Sequence, residues 1–360
     1  MESLVAACKA QSHSFKAQGA VICLWATAKL GVCDAAFVGS LATTCIAYSH
    51  TFNAQEASNS LWAAAKLGLR DNAIIWGLAS ACVGQSLFFN AQDAANCLYA
   101  AATLGVRDDA IVGPLVSACV AQTHAFNAQN ASNCLWAAAT LGVRDEAIVG
   151  PLVVAACRLA QSFNAQDAAN SLWAVAALGL RDENVVRALV NSLRNAVSLN
   201  VKECQQLLYV HAATQTWLPA PLLFPREQLD LFRTLSNPTG SSIVSRSQRD
   251  VAASISRLGF VIEQEVLVLD GLHAVDVLVH FSDRKSVAVE FDGQSHYLRW
   301  IEISSSSRIP EPNGATLFRD RLLREAGLAV VTIPYFEWSA LSDNVARDAY
   351  ISSRLAAAVA

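Results

Sequence analysis

Three carboxylates and a histidine in the last third of the chain have types and spacing that suit phosphodiester chemistry. Asp276 falls in one apolar run, HAVDVLVHF, and Glu290 and Asp292 fall in the next, SVAVEFDG. Alternation along a strand places Glu290 and Asp292 on the same face. Carboxylates that converge there could bind Mg²⁺ and activate water, with His296 as general base or phosphate contact. These four residues are the candidate catalytic set of a metal-dependent nuclease, and the three carboxylates are its candidate metal ligands.

A series of asparagines recurs every 37 residues in the first half of the chain, and each lies one helical turn before an aromatic residue. A glutamine precedes each of them by four residues, and the asparagines are Asn59, Asn96, Asn133 and Asn170. Side-chain amides have the donors and acceptors that read the edges of RNA bases. The alternative is a hydrogen-bonded ladder between neighbouring helices. Identity of the residue across these four repeats favours that alternative, because a sequence code needs positions that vary.

A series of arginines has the same spacing, and each is followed by aspartate: Arg70, Arg107, Arg144 and Arg181. One guanidinium per repeat along one edge could follow a phosphate backbone. The alternative is a surface arginine paired with a neighbouring aspartate. Both interpretations remain open from the sequence.

The elements that must position these residues follow from the period itself. Aromatic residues recur at Trp25, Trp62, Tyr99, Trp136 and Trp173, and phenylalanine and glycine series have the same spacing. Such a period predicts a stacked α-helical solenoid whose units bury their faces only against neighbours.

Each unit is predicted to be a pair of helices. Asn127 is a suitable N-cap for the first helix, with Phe126 before it as a hydrophobic staple. Gly142 is expected to end that helix in a left-handed conformation, and Asp145 to cap the second helix. Pro151 lies about six residues into the second helix, where it should kink the helix unless the helix starts later.

First helices are expected near residues 15, 52, 89, 126 and 163, with a degenerate capping unit at Asn200 to Ala213. Leu4 to Ser12 align with the second helix of a preceding unit. The array would then begin in mid-repeat, and the natural N-terminus, with any targeting segment, would be absent from this chain. The predicted solenoid spans residues 1–215.

The unit sequence FNAQEASNSLWAAAKLG resembles the octotricopeptide and heptatricopeptide repeats of organellar RNA-binding proteins, and the 37-residue period favours the heptatricopeptide form. The resemblance implies a single-stranded RNA partner in the mitochondrion or the chloroplast. If each unit reads about one base, as in other helical RNA-binding repeats, the footprint is roughly five or six nucleotides.

Residues 216–246 contain Pro/Ser/Gly-rich segments and are predicted to be a linker with one short helix around Gln228 to Thr234. From residue 247 to 357 the patterns change to the order α-β-β-β-α-β-α, with LAVVTIPYFEW as the last strand. This is the core order of restriction-endonuclease-like folds. The predicted fold class is therefore a helical-repeat solenoid followed by a small α/β restriction-endonuclease-like domain.

The strings AVEFDGQSHY, FRDRLLREAG and VVTIPYFEW, in this order, closely resemble the RAP domain, with its core at residues 287–350. RAP domains often follow helical repeats in organellar RNA-processing proteins. Nucleases of this fold carry lysine two residues after the glutamate, whereas this chain has Asp292. A cation such as Arg299 or Arg319 would have to replace that lysine.

The alternative, which we favour, is a degenerate nuclease fold that holds RNA without cutting it. Three arginines on the predicted helix FRDRLLREAG, at Arg319, Arg321 and Arg324, would then offer a basic face. The competing interpretation of these arginines is a solvated helix surface.

The composition limits the remaining classes. Hydrophobic residues make up 53% and charged residues 16%, which excludes a disordered chain, and no uninterrupted apolar run reaches the length of a membrane span. The net charge is −4, and Lys and Arg number 11 against 12 Asp and Glu in residues 1–200. This balance disfavours generic electrostatic binding to nucleic acid. Cysteines at repeat spacing, such as Cys45, Cys82 and Cys119, are predicted to be reduced packing residues.

The sequence thus predicts a sequence-selective RNA-binding protein of organellar RNA processing, stability or translation, with further protein partners in an RNA-processing complex. A Mg²⁺-dependent endoribonuclease is one alternative. A protein-interaction scaffold is another, favoured by the neutral-to-acidic first half of the chain.

Overall fold

The computed structural model describes residues 8, 10–11, 14–193, 198–219, 224–236, 244–281, 285–301 and 308–359. Their contacts define two compact units. One comprises Met1–Val197 with Leu298–Asn313, and the other comprises Ser198–Tyr297 with Gly314–Ala360. The predicted helix at residues 4–12 lies almost entirely outside the described residues.

The first unit is an array of helix pairs, as the period predicts. The first helices of the pairs are α1 (Ala17–Leu30), α3 (Ala54–Lys66), α5 (Ala91–Leu104), α7 (Ala128–Thr140) and α9 (Ala165–Leu178). The second helices are α2 (Ala35–Ala47), α4 (Asn72–Gln85), α6 (Asp109–Ala121), α8 (Glu146–Leu159) and α10 (Glu183–Leu193). Short 3₁₀ turns connect a second helix to the next first helix, as at Thr123–Ala125.

The predicted helix caps are confirmed. Asn127 accepts a hydrogen bond from the backbone N–H of Asn130 at 2.8 Å and begins α7, while Asp145 accepts one from Ala147 N at 2.9 Å and begins α8. Asn53 and Glu56 form a reciprocal capping box, with distances of 2.9 and 3.0 Å. Each cap satisfies amide groups that the first helical turn leaves without an intrahelical partner.

Gly142 adopts the expected left-handed conformation, with φ of +71°, and Val143 N donates to Ala138 O at 2.9 Å. This pattern closes the end of α7. Pro151 lies inside α8, which starts at Glu146, so the alternative of a later helix start is wrong. The proline removes only one backbone donor, and the helix continues on both sides of it.

Alanine-rich faces allow the first helices to pack closely on one another. Leu61, Leu98 and Leu135 occupy equivalent, fully buried positions in α3, α5 and α7. The thiols of Cys82 and Cys119 each donate to a backbone carbonyl 25 residues earlier, at 3.3 Å. The prediction that the cysteines at repeat spacing are buried packing residues is confirmed.

The second unit begins with α11 (Val201–Thr214) and α12 (Arg226–Ser236), which pack together. Phe232 is buried and meets Phe224 at 5.5 Å between ring centroids. The short helix expected in the linker is therefore longer than predicted. The predicted capping helix, α11, groups by its contacts with the C-terminal unit, although the predicted boundary at residue 215 placed it in the array.

The remaining elements of the chain form a mixed sheet flanked by helices and a pair of short strands, and most of that pair falls in the segment Leu298–Asn313 of the first unit. They are α13 (Arg246–Arg257), β1 (Val261–Val268), β2 (His273–His280), β3 (Ser286–Asp292), β4 (Tyr297–Leu298), β5 (Glu311–Pro312), α14 (Gly314–Glu325), β6 (Ala329–Pro334), α15 (Tyr335–Ser339) and α16 (Asn344–Val359). The main sheet has the order β1-β2-β3-β6, with β3 and β6 parallel and the other pairs antiparallel, and β4 pairs with β5. The predicted order of the main elements is confirmed.

The prediction that the last strand runs through Trp338 is wrong. The strand ends at Pro334, which has no N–H to continue the ladder, and the next five residues form α15. This helix places Trp338 in the core against Val331 and Ile333. No helix in the described parts of the chain is long and apolar enough to cross a bilayer.

Two glycine substitutions test the assigned backbone. Neither Gly142 nor Gly39 has an atom within 4 Å of an added Cβ, so packing does not decide the outcome. We expect Gly142→Ala to lower the free energy of unfolding by about 1 kcal/mol because alanine is strained at positive φ. We expect Gly39→Ala, inside α2, to raise it by roughly 0.5–1 kcal/mol. Urea denaturation measures both, and equal signs would contradict the assignment.

Candidate functional site

The first helices of the first unit line a groove of about 520 Å³, which we call the amide groove. It contains three of the four predicted asparagines, each together with its glutamine. The lining residues are Trp25, Lys29, Gln55, Asn59, Trp62, Ala65, Lys66, Gln92, Asn96, Tyr99, Thr103, Gln129, Asn133 and Gln166. Residues four apart on a helix share a face, which explains why each Asn and Gln pair enters the groove together.

Aromatic residues at repeat spacing pack on one another behind the amides. The ring centroids of Tyr99 and Trp136 lie 5.1 Å apart, and those of Trp136 and Trp173 lie 6.4 Å apart. Lys29 Nζ lies 5.4 Å from the Trp25 ring and 4.7 Å from the Trp62 ring, so it makes cation–π contacts to both. The close contact of Tyr99 and Trp136 leaves no gap for an inserted base, and Trp25, Trp62 and Tyr99 of this series line the groove.

The side-chain amides of Asn59, Asn96 and Asn133 make no hydrogen bond to other protein groups in the described part of the chain. The alternative of a hydrogen-bonded ladder between helices therefore does not hold for these three. Asn170 differs, because it is buried and has a polar interaction of its own. The glutamines of the groove are exposed and stand at its rim.

The charge in the amide groove is positive although the whole chain is negative. Lys29 and Lys66 line it, and no carboxylate is among the lining residues that the structure describes. Local charge decides which ligand a groove attracts, and here it favours an anion.

The arginine series is engaged in protein contacts at two positions. Arg144 Nη1 donates to the carbonyl of Leu178, the last residue of α9, at 3.3 Å. Arg107 forms ion pairs with Asp109 and with Glu311, the latter at 2.9 Å, and its guanidinium lies 5.7 Å from the Trp300 ring centroid. Because two of its members are engaged in this way, the arginine series does not form a continuous phosphate-binding surface. Its members are Arg70, Arg107, Arg144 and Arg181.

Arg299, a candidate replacement for the missing nuclease lysine, lies in the first unit. Its backbone N–H donates to Gly105 O at 2.6 Å, and its guanidinium donates to Leu104 O at 2.8 Å. Arg299 thus satisfies carbonyls at the C-terminal end of α5. It does not take the place predicted for the lysine.

Arg319, the other candidate, lies at the centre of an ionic network in the second unit. Its guanidinium donates to both carboxylate oxygens of Asp292 at 2.8 and 3.1 Å and to Asp320 at 2.7 Å, and it lies 3.5 Å from Glu290. His273 Nε2 lies 2.9 Å from Glu290 Oε1. The expectation that Glu290 and Asp292 share one face is confirmed, since both reach Arg319.

Burial and charge set the protonation states in this network. Burial alone would lower the pKa of Arg319, but its hydrogen bonds to Asp292 and the nearby carboxylates raise it. His296 Nδ1 lies 3.1 Å from Asp292 Oδ1. Burial lowers the pKa of His296 below its usual range, with Arg319 acting in the same direction and Asp292 opposing it. His296 is therefore neutral at neutral pH.

Asp276 stands apart from Arg319. It accepts hydrogen bonds from Phe291 N at 2.8 Å and from Gln248 Nε2 at 2.6 Å. Burial, with the charge of Glu290, raises the pKa of Asp276 to about 6. The three predicted ligands are thus neighbours, but Asp276 is fixed by α13 and β3 and the other two by Arg319.

This arrangement does not fit the predicted Mg²⁺ site. The guanidinium of Arg319 binds both oxygens of Asp292 and lies against Glu290, where a cation would need those oxygens. In the described residues, no three His, Cys, Asp or Glu side chains are grouped so as to hold a metal ion.

The predicted basic face on α14 does not form as a set. Arg319 is 6% exposed and binds carboxylates, so it cannot contact RNA. Arg321 lies 4.0 Å from Glu325 and covers the Phe318 ring, and Arg324, which is exposed, lies 3.7 Å from Asp320. The helical period separates Arg319 from the two arginines that reach the surface.

Sequence analysis missed His273, Asp320 and Tyr209 as members of this network. Tyr209 Oη lies 3.4 Å from His273 Nδ1, and burial raises the pKa of this phenol to about 12. Asp320 lies within the string FRDRLLREAG, so the motif contained a signal for it. Tyr209 comes from α11 and had no local signal.

Comparison with known families matches both halves of the chain. The family model described as RNA-editing substrate-binding complex 6 protein matches residues 4–217, and the RAP domain model matches residues 289–354. No curated protein matches the chain. The predicted RAP domain is confirmed, while the heptatricopeptide type of the repeats stays a prediction.

Removing the cation of the ionic network should be costly. We expect Arg319→Met to lower the free energy of unfolding by roughly 3–5 kcal/mol at neutral pH, because it leaves buried carboxylates without a partner. Arg233→Met, which removes a partly exposed arginine of α12, serves as the control and should cost less than about 1 kcal/mol. Equal losses in guanidinium denaturation would refute the assigned network.

The raised pKa of Asp276 predicts a pH dependence. Its folded pKa of about 6 exceeds the usual carboxyl pKa of 3.8, so ionisation at this site lowers stability as pH rises through this range. Between pH 4.5 and pH 7, the free energy of unfolding should fall by about 2 kcal/mol less in Asp276→Asn than in the wild type. Glu227→Gln, at an exposed carboxylate of α12, should retain the wild-type slope. An unchanged slope in Asp276→Asn would contradict the prediction.

Proposed function

The chain belongs to the family of RNA-editing substrate-binding complex 6 proteins, and from that premise we propose that it binds single-stranded RNA through the amide groove and acts in RNA processing. The RAP domain in its second half supports an RNA-related role. We place this role in an organelle, the mitochondrion or the chloroplast, as the resemblance of the repeats implies.

The observation that carries this proposal is the state of three asparagine amides. Asn59, Asn96 and Asn133 enter one groove at repeat spacing, and their amides are not used by the protein in the described part of the chain. Each half-buried side-chain amide carries donors and an acceptor, and those that the protein leaves unpaired stay available to a ligand. Base edges offer matching donors and acceptors.

Phosphate contacts in this proposal come from few residues. Lys29 and Lys66 lie in the groove, whereas Arg107 and Arg144 are engaged in protein contacts. Base recognition would then supply more of the affinity than counterion release does, in agreement with the negative net charge. Selective binding is expected from such a balance.

Cleavage is not part of the proposal. The endoribonuclease hypothesis needs carboxylate oxygens that are open to a metal ion, and those of Asp292 are occupied by Arg319. The ionic network instead supports a structural role for Glu290, Asp292 and Arg319. The RAP domain would then hold RNA or a protein partner.

One observation favours the scaffold alternative. Leu87 and Phe88, in the turn between α4 and α5, are 93% and 74% exposed. Other repeats carry polar or small residues in this turn, such as Thr123 and Ala125. Exposed apolar side chains of this size commonly contact another protein. They would serve contact with a partner in an RNA-processing complex.

Negative charge in the groove should weaken the proposed binding. We expect Gln92→Glu with Gln129→Glu to weaken binding of single-stranded RNA at least about tenfold, since both side chains are exposed at the rim and would repel phosphates. Fluorescence anisotropy with a pool of short labelled RNAs measures this.

The matched control is Gln122→Glu with Gln161→Glu, which makes the same charge change outside the groove and should leave affinity within about twofold. Equal weakening by both pairs would show that overall charge, not the groove, determines binding. Absence of binding by folded wild-type protein would reject the proposed function and leave the surface of Leu87 and Phe88 as the leading interaction site.

A further inference from the structure

The amide groove repeats one arrangement of side chains three times. Gln55 with Asn59, Gln92 with Asn96, and Gln129 with Asn133 stand at equivalent positions of α3, α5 and α7. Within each pair the glutamine is exposed at the rim and the asparagine is half-buried below it. We refer to each pair as a compartment.

The repeats on either side of these three do not form an equivalent compartment. In α1 the position of the asparagine is taken by Ile22, which is 55% exposed and has no polar group. In α9 the equivalent Asn170 is 5% exposed and has its own polar interaction. Three successive compartments therefore have the same open chemistry, and their neighbours do not.

Because the three compartments have the same side-chain amides, each offers the same hydrogen-bonding pattern to a base. Repeat proteins that read mixed sequences need different side chains at equivalent positions, and here these positions are the same. A run of one repeated base satisfies all three compartments at once, whereas a mixed sequence satisfies only some of them. In the sequence, the identity of these asparagines favoured a structural role. Because their amides make no hydrogen bond within the described residues, the same identity now favours recognition of a repeated base.

The chemistry of the compartments favours adenine. Asn and Gln amides offer one acceptor and one donor side by side, which matches N6–H and N7 of adenine. Guanine is read best by arginine or lysine, and the groove places its lysines, Lys29 and Lys66, outside the three pairs. No carboxylate, which would accept from cytosine N4, is among the described lining residues.

We propose that the amide groove selects single-stranded RNA tracts of adenine, at least three nucleotides long, with one base in each compartment. This inference rests on the proposed function, since it names the substrate of the same groove. It also implies that the tract can bind in several registers, because the same Gln and Asn pair recurs in each compartment.

The test measures binding of the full chain to labelled RNAs of about eight nucleotides, namely oligo(A), oligo(U), oligo(C) and a mixed sequence whose adenines lie at least three nucleotides apart. We expect oligo(A) to bind about a hundredfold more tightly than the mixed RNA, from about tenfold for each of two unmatched compartments. Binding of the mixed RNA, oligo(U) or oligo(C) as tightly as oligo(A) overturns the adenine-tract inference and leaves RNA binding itself intact. Binding of none of them by folded protein overturns both.

A variant separates base reading from general affinity. Asn96→Leu removes the central amide without adding charge, and we expect it to weaken oligo(A) binding about tenfold while the mixed RNA is unaffected. Asn184→Leu, at an exposed position of α10 outside the groove, is the matched control and should change neither. Circular dichroism verifies that both variants fold. Equal weakening of both RNAs by Asn96→Leu would refute the assignment of this amide to base recognition.

Discussion

Close packing between the alanine faces of successive first helices is the constraint on which the first unit depends. Small side chains let α3, α5 and α7 approach until Leu61, Leu98 and Leu135 are fully buried. This approach fixes equivalent residues of neighbouring repeats side by side, so any polar residue at a repeated position becomes part of a continuous surface. The amide groove is a consequence of that stacking, since no single repeat contains it.

The second unit depends on a different interaction, the buried ion cluster around Arg319. A guanidinium surrounded by Asp292, Asp320 and Glu290 joins α14 to β3, and His273 extends the contacts to β2. Each partner is costly to bury alone and acceptable only when the others are present. Residues that resemble a nuclease site therefore act here as an electrostatic connection between a helix and the sheet.

The two units thus differ in whether their polar side chains are paired within the protein. The C-terminal unit satisfies its buried carboxylates internally, which leaves little chemistry for a ligand. The groove of the first unit leaves three asparagine amides unsatisfied within the described residues, and its lysines give it a positive potential that the chain as a whole lacks. Unused hydrogen-bonding capacity, more than net charge, is what distinguishes the groove as the candidate RNA-binding surface.

Local signals in the sequence determined the repeat period, the caps at Asn127 and Gly142, the order of the sheet elements and the RAP domain, because each depends on residues close in the chain. Tertiary structure decided which of the predicted site residues remain available to a ligand and which are engaged in contacts within the protein. Arg319 meets Asp292 across 27 positions and Arg107 meets Glu311 across 204, and no local pattern encodes such pairs. The difference between open Asn133 and buried Asn170 was not evident from the repeat pattern, because both occupy the same repeat position in similar local sequences.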